Sequence, residues 1–241
     1  MPHQAMAAYL LELHAHRGPG LPPLPLAACA RELGLDGLAL LLTAQGKTPE
    51  LVQSHGPLTG VLEDLQLTQG QGPSWDAART GALLLLPDLA DPTGFAARRW
   101  PGLPGAVHDL GIAAVFALPL RLGAITLGAL TGHRTRAGPL TPDELADALH
   151  LADTLTQVII TLTARPAPSS GMLLDNADLH FAEVHQATGM LAAQHGLTCA
   201  QALVHLRAYA FTQNRRLLSC ARDVLDHRLR LDALDDTESD G

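Results

Sequence analysis

The chain has 241 residues, of which 47% are hydrophobic, so it can form one large domain or two small ones with a real core. The formal net charge is −8, and neither a signal peptide nor an apolar run of membrane-spanning length stands out. Three widely separated cysteines, Cys29, Cys199 and Cys220, include no C-x-x-C pair, which argues against a disulfide framework or a zinc site and favours a protein of the reducing cytoplasm.

Residues 1–164 predict a mixture of helices and strands. In chain order we expect helices at 3–17 and 26–35, strands at 37–44 and 50–54, a helix at 58–67, a Gly-rich loop at 69–77, a strand at 83–87, helical turns at 95–100 and 105–110, strands at 114–122 and 125–132, and a helix from a capping box at Thr141 to about 163. Neighbouring strands can pair antiparallel, so we predict an α+β domain with helices flanking one sheet.

The motifs of common catalytic sites are missing from this part of the sequence. The Gly-rich loop is followed by no lysine and has no G-x-G-x-x-G spacing, and no G-x-S-x-G occurs. His55, His108 and His133 could each ligate a haem or bilin, but each is more often a surface histidine. We therefore expect neither catalysis nor a metal or cofactor.

The rest of the chain is predicted to be helical. The segment RPAPSSG begins at Arg165 and predicts a linker at 165–172. Three short helices are expected within 173–231, with Gly196 ending the first and a Thr198–Gln201 capping box beginning the second.

Charge is unevenly distributed along this second part. Residues 180–231 contain six arginines against three acids, whereas 232–241 contain five acids and no base, which predicts an acidic disordered tail. A basic module in an acidic chain suggests a polyanionic partner, although a solvated helical face is the simpler interpretation. The tail could also fold back on the arginines and restrain them.

The first domain resembles a GAF domain of the actinobacterial regulator type. The matching segments are residues 63–66, GQGPSWDA from Gly70, PDLADP at 87–92, RWP at 99–101, PLRLGAITLGAL at 119–130 and the helix with LAD at 151–153. The resemblance implies a sensor domain with a small-molecule pocket between sheet and helices, edged by Trp75, Asp76 and Trp100; core packing is the alternative for both tryptophans. Such domains often carry Cys where Ser74 stands, so we do not expect a thiol-based sensor.

The helical part resembles an ANTAR domain, an RNA-binding module of transcription antiterminators. The matching residues are Gln186, Ala187, Gly189, Met190, Leu191, His195, Gly196, Ala202, Leu206, Arg207, Ala210, Asn214, Arg215 and Leu217. Such modules usually carry Lys or Arg between the first Ala and Gly, where this chain has Thr188. RPAPSSG also interrupts the coiled coil that often joins the two domains in this type of protein.

The resemblance implies that RNA is bound by Arg207, Asn214, Arg215 and Arg216. Guanidinium groups contact phosphates and stack on bases, and amides read base edges. The structural alternatives are that Arg207 pairs with an acid such as Asp223 and that Asn214 caps the third helix.

We therefore predict a non-enzymatic GAF–ANTAR antiterminator. Its helical module would bind hairpins in nascent RNA under control of a signal sensed by the GAF domain, and two hairpins would imply a homodimer. The alternative is a ligand-binding or protein-interaction module whose RNA-binding surface is degenerate. A phosphoacceptor receiver input is excluded, because such a domain needs a late lysine and the chain has none after Lys47.

Overall fold

The computed structural model describes residues 4–16, 18, 20–43, 48–91, 93–163 and 181–231. Two compact units are distinguished by their internal contacts, one made of Met1–Gln66 and Gln71–His180 and the other of Leu67–Gly70 and Phe181–Gly241. The predicted linker at 165–172 and acidic tail at 232–241 lie outside the described residues. The predicted domain boundaries therefore remain predictions.

The first unit is built on a five-stranded antiparallel sheet of order β2-β1-β5-β4-β3. The strands are β1 Gly37–Leu42, β2 Glu50–His55, β3 Leu84–Leu86, β4 Ala114–Leu122 and β5 Ile125–Arg134. The helices are α1 Gln4–Ala15, α2 Leu26–Glu32, α3 Thr59–Gln69, α4 Pro73–Thr80, α5 Phe95–Arg99, α6 Leu103–Asp109 and α7 Pro142–Thr163. The predicted α+β architecture and the β4–β5 hairpin are confirmed.

Both faces of the sheet are covered because successive side chains of a strand point to opposite sides. Phe116 and Leu118 of β4 pack with residues of α1, α2 and α7, whereas Ala117 packs against Ala77 and Ala78 of α4. Strand β1 lies between β2 and β5 and is buried at all six positions. Its GLALLL sequence is what a strand with two covered faces requires.

One predicted loop is partly wrong. Residues 69–77 were expected to be irregular, but α4 begins at Pro73, directly after Gly72. Proline at the first helical position has no amide to leave unsatisfied and already holds the helical φ angle. The Gly-rich segment is therefore a short connection that ends where Pro73 begins the helix.

A buried arginine ties the C-terminal end of β5 to α2 and α7. The Arg134 side chain is 6% exposed, and its Nη2 lies 3.0 Å from Oε2 of Glu144. Its guanidinium also donates to the backbone carbonyls of Leu33 (3.0 Å), Gly34 (2.7 Å) and Pro139 (3.0 Å). A guanidinium that has a carboxylate partner and donates to three carbonyls can be buried without a large unmet desolvation cost.

Glu144, the partner of Arg134, is itself fixed by the predicted capping box. Its Oε2 accepts from the backbone N–H of Thr141 at 2.7 Å, and its own N–H donates to Oγ1 of Thr141 at 3.2 Å. Burial alone would raise the pKa of Glu144, but the hydrogen bonds from Thr141 and Arg134 hold it below its ordinary value. The start of α7 is thus locked to the end of β5.

Helix α7 has 22 residues and is long and apolar enough to cross a membrane by length and composition alone. The prediction that no apolar segment reaches that length is therefore wrong for this helix. Half of its most apolar stretch is buried inside the protein, where the helix packs with β4 and α1. The helix has the burial of a domain-core helix.

The second unit contains the three predicted helices, α8 Ala182–His195, α9 Cys199–Thr212 and α10 Leu217–Leu225. Gly196 ends α8 in the left-handed conformation at φ 65°. Thr198 begins α9 through both hydrogen bonds of a capping box with Gln201. The helices bury one face each, formed by Val184, Ala187, Leu191, Ala202, Leu206, Ala210, Leu217, Cys220, Ala221 and Val224.

Candidate functional site

The connection between α9 and α10 contains three of the four predicted RNA-binding residues. Asn214 has a left-handed φ of 49°. Its N–H donates to the Phe211 carbonyl at 3.1 Å, and the Arg215 N–H donates to the Ala210 carbonyl at 2.8 Å. These two bonds form the Schellman motif, in which asparagine is the usual substitute for glycine. The backbone therefore holds Asn214, Arg215 and Arg216 in a sharp exposed turn.

The suggestion that Asn214 caps the third helix is wrong. The N-cap of α10 is Arg216, which makes no side-chain capping bond, and Asn214 instead ends the preceding helix. A residue that accepts a positive φ is needed at that position, and asparagine tolerates it better than other side chains. Its side chain is exposed rather than folded over the start of α10.

Asp223 holds two arginines near this turn. Its Oδ2 lies 2.5 Å from Nη2 of Arg215, and its Oδ1 lies 2.8 Å from Nη2 of Arg228. The hydrogen bonds from Arg215 and then Arg228 hold the pKa of Asp223 below its ordinary value. The sequence suggests Asp223 as a partner for Arg207, but Asp223 pairs with Arg215 instead. This ion pair partly neutralises the charge of Arg215.

Arg216 differs from its neighbour. It is exposed and makes no ion pair with any acid in the described ranges. Arg207 lies two helical turns before Asn214 on α9 and is half-buried. Of the predicted residues, Arg216 is thus the cation most open to an external anion.

Position 188, where the resemblance to ANTAR modules predicts a cation, is buried in this chain. Thr188 is 5% exposed and lies on the same face of α8 as Val184 and Leu191. Its hydroxyl donates to the Val184 carbonyl at 2.6 Å, so it needs no other partner. The Thr188 side chain is part of the buried helix face and offers nothing to an exposed partner.

The first unit contains a buried polar cluster of Glu63, Gln66 and Ser74, all at most 1% exposed. Ser74 Oγ donates to Glu63 Oε1 at 2.8 Å, Gln66 Nε2 donates to Ser74 Oγ at 2.8 Å, and the Ser74 N–H donates to Gln66 Oε1 at 2.9 Å. Burial raises the pKa of Glu63 to about 8, against the opposing hydrogen bond from Ser74. The cluster joins α3 to α4 and carries a carboxyl group whose pKa lies well above its ordinary value.

Of the residues predicted to edge a pocket, Trp75 and Asp76 directly follow Ser74 in sequence, and both Trp75 and Trp100 are buried. Trp75 is 5% and Trp100 1% exposed, and Trp100 packs in a core cluster with Leu62 and Leu103. Asp76 Oδ2 accepts from Nε1 of Trp100 at 3.2 Å and from Nε of Arg99 at 2.8 Å. Asp76 and Trp100 are therefore brought together, as a packed and hydrogen-bonded pair.

His133 is buried, so the expectation of a surface position is wrong for this histidine. Its Nε2 lies 3.1 Å from Oγ1 of Thr59, whose hydroxyl donates to the His55 carbonyl at 2.6 Å. Nε2 must therefore carry the proton. Burial lowers the pKa of His133, against the opposing charge of Asp36, and so favours the neutral ring. His55 and His108 are exposed, as expected.

Sequence comparison identifies both domains. The GAF domain family matches residues 26–159, and the ANTAR domain family matches residues 176–225. No significant match was found among curated proteins.

Solved structures similar to this chain include GAF domains from three bacteria. The GAF domain of an Acinetobacter phosphoenolpyruvate-protein phosphotransferase is 11% identical, with a TM-score of 0.49, over 68% of this chain and 96% of that one. The corresponding domain from Coxiella burnetii is 18% identical, with a TM-score of 0.47, over 65% and 94%. The GAF-B domain of DevS from Mycobacterium smegmatis is 19% identical, with a TM-score of 0.39, over 56% and 88%. Since the GAF match alone spans more than half of the chain, the chain belongs to the GAF family, and with the ANTAR domain that follows it has the domain arrangement of a GAF–ANTAR regulator.

Proposed function

We propose that this protein is a cytoplasmic transcription antiterminator that binds hairpins in nascent RNA through α8–α10. The observation that carries the proposal is the α9–α10 turn, where Asn214, Arg215 and Arg216 are all exposed and Arg216 has no acidic partner among the described residues. In this turn, Arg216 would contact a phosphate, and the Asn214 amide would read the edge of an unpaired base.

Arg215 would act differently from Arg216. Its Nη2 is engaged by Asp223, which fixes the direction of the guanidinium plane. A guanidinium has five N–H donors, so one ion pair leaves others for an RNA oxygen. Arg207, two turns away on the same helix, is proposed as a further contact.

The GAF domain would supply the signal. We propose a small-molecule ligand and retain Trp75, Asp76 and Trp100 as the residues near its pocket. Asp76 already ties Trp100 to α4, so a ligand that altered this contact would move α4 relative to α5. Two hairpins, one for each helical module, would be bound by a homodimer.

Binding should be measured with the full chain and an RNA that carries two short hairpins, over a series of salt concentrations. The affinity is expected to fall with salt, because each phosphate contact on a single strand contributes about −0.7 to the slope of log K against log salt. Arg216→Ala should weaken binding to all hairpin sequences and make that slope shallower by about 0.7.

The matched control is Arg222→Ala, since Arg222 lies on α10 outside the Asn214–Arg216 turn and is paired with Glu183 at 2.7 Å. It should change affinity less than Arg216→Ala. A salt-independent signal, or equal affinity for DNA of the same sequence, would contradict the proposal. Absence of RNA binding together with a tight small-molecule complex would favour the alternative, a ligand-binding protein whose RNA surface is degenerate.

A further inference from the structure

Helix α9 exposes an apolar face opposite to its buried one. Val204 is 60% and Phe211 66% exposed, and Ala208 between them is also exposed. The spacings of four and three residues place these side chains on one face of the helix. The buried residues Ala202, Leu206 and Ala210 occupy the other face. We call the face formed by Val204, Ala208 and Phe211 the exposed α9 face.

Phe211 connects this face to the turn. The Phe211 carbonyl accepts the hydrogen bond from the N–H of Asn214, so the last turn of α9 leads directly into the Schellman motif. Phe211 is the most exposed aromatic residue among the described residues, ahead of Phe95 at 50%. The aromatic ring and the exposed cation Arg216 thus lie on either side of the turn.

The surroundings of Phe211 are apolar on the side of Val204 and Ala208 and polar on the side of the turn, and this polar side fits a nucleobase better than a protein partner. The residues that follow it, Thr212 to Arg216, are all exposed and either polar or cationic. Protein interfaces surround an aromatic anchor with further apolar surface. An unpaired base instead requires one flat aromatic surface and a nearby cation for its phosphate, and single-stranded RNA loops are commonly recognised in this way.

We infer that Phe211 is the stacking platform for one unpaired base of the bound hairpin loop, with Arg216 across the turn contacting the adjoining phosphate. The inference rests on the proposed RNA-binding function and extends it to the recognition of a splayed-out base. Specificity would then come from the turn, because every base has a π-face and stacking alone does not choose among bases.

The test compares Phe211→Ala, Phe211→Leu and Phe211→Tyr in the full chain, with folding checked by circular dichroism and RNA affinity measured on the two-hairpin RNA. Loss of a stacked base is expected to weaken binding roughly 5- to 150-fold for the alanine variant. Leucine keeps apolar area without a π-face and should lose most of the affinity, whereas tyrosine should keep it. The salt slope should stay unchanged in all three, because stacking releases no counterions.

A second arm replaces each loop nucleotide in turn with an abasic one. When the abasic nucleotide stands at the stacked position, Phe211→Ala should cause no further loss of affinity. If the losses caused by the abasic nucleotide and by Phe211→Ala add up at every loop position, the inference is overturned. If the wild type binds RNA and the alanine and leucine variants bind equally well, the stacking role alone is overturned. A change in self-association on sedimentation with unchanged RNA affinity would assign the exposed α9 face to a second copy of the chain. If the wild type binds no RNA, the proposed function itself fails, and the stacking role with it.

Discussion

Replacing Arg134 with alanine is expected to lower the free energy of unfolding of the GAF domain by about 3–5 kcal/mol. The substitution leaves the Glu144 carboxylate without its cation and removes the donor to the carbonyls of Leu33, Gly34 and Pro139. Buried groups that lose a hydrogen-bond partner retain their full desolvation cost. It also removes a cation 5.5 Å from the centroid of the Phe116 ring.

Chemical denaturation of the full chain, followed by a probe of the GAF domain, gives this free energy. Arg31→Ala is the matched control, because Arg31 is 72% exposed and lies 3.9 Å from Glu32. An exposed pair of this kind contributes at most about 1 kcal/mol. If both substitutions lowered the free energy of unfolding by the same small amount, the Arg134 contacts would contribute little to holding β5, α2 and α7 together.

Glu63 is expected to make a contribution to the stability of the GAF domain that decreases as pH rises from about 4.5 to about 8. The pKa of its carboxyl is raised by burial to about 8, from 4.5 as the ordinary value. Between these values the folded state keeps a proton that the unfolded state releases, so stability falls with pH, by up to about 1.4 kcal/mol per pH unit. Glu63→Gln keeps the shape but cannot ionise, and it should remove this contribution.

The measurement is the free energy of unfolding of wild type and variant at a series of pH values, taken as the difference between the two proteins. Glu12→Gln, at an exposed position of α1, is the control and should run parallel to wild type. Parallel curves for Glu63→Gln and wild type over the same pH range would mean that Glu63 is solvated or ionised in the folded protein.

The sequence predicted those features that depend on interactions between residues close together in the chain. The β4–β5 hairpin follows from two apolar runs separated by a turn at Gly123, and α7 and α9 begin at capping boxes of four residues. Gly196 ends α8 because glycine accepts the left-handed conformation without strain. These elements require no knowledge of the rest of the fold.

Features that depend on distant contacts were missed. Arg134 donates to a carbonyl 101 residues away, and His133 is buried only because β5 pairs with β1 beside Thr59. Asparagine suits both ends of a helix, so the sequence could not decide which end Asn214 occupies. Phe211 was overlooked because the side on which α9 is buried depends on its packing with α8 and α10.

The central claim is that this chain binds RNA through the helical module, and crosslinking in cells tests it most directly. RNA should be crosslinked to the protein by ultraviolet light, and the crosslinked peptides should be mapped together with the bound transcripts. The account predicts crosslinks in residues 199–216 and transcripts that carry paired hairpins ahead of terminators. Recovery of no RNA above background, or crosslinks confined to residues 26–159, would contradict it.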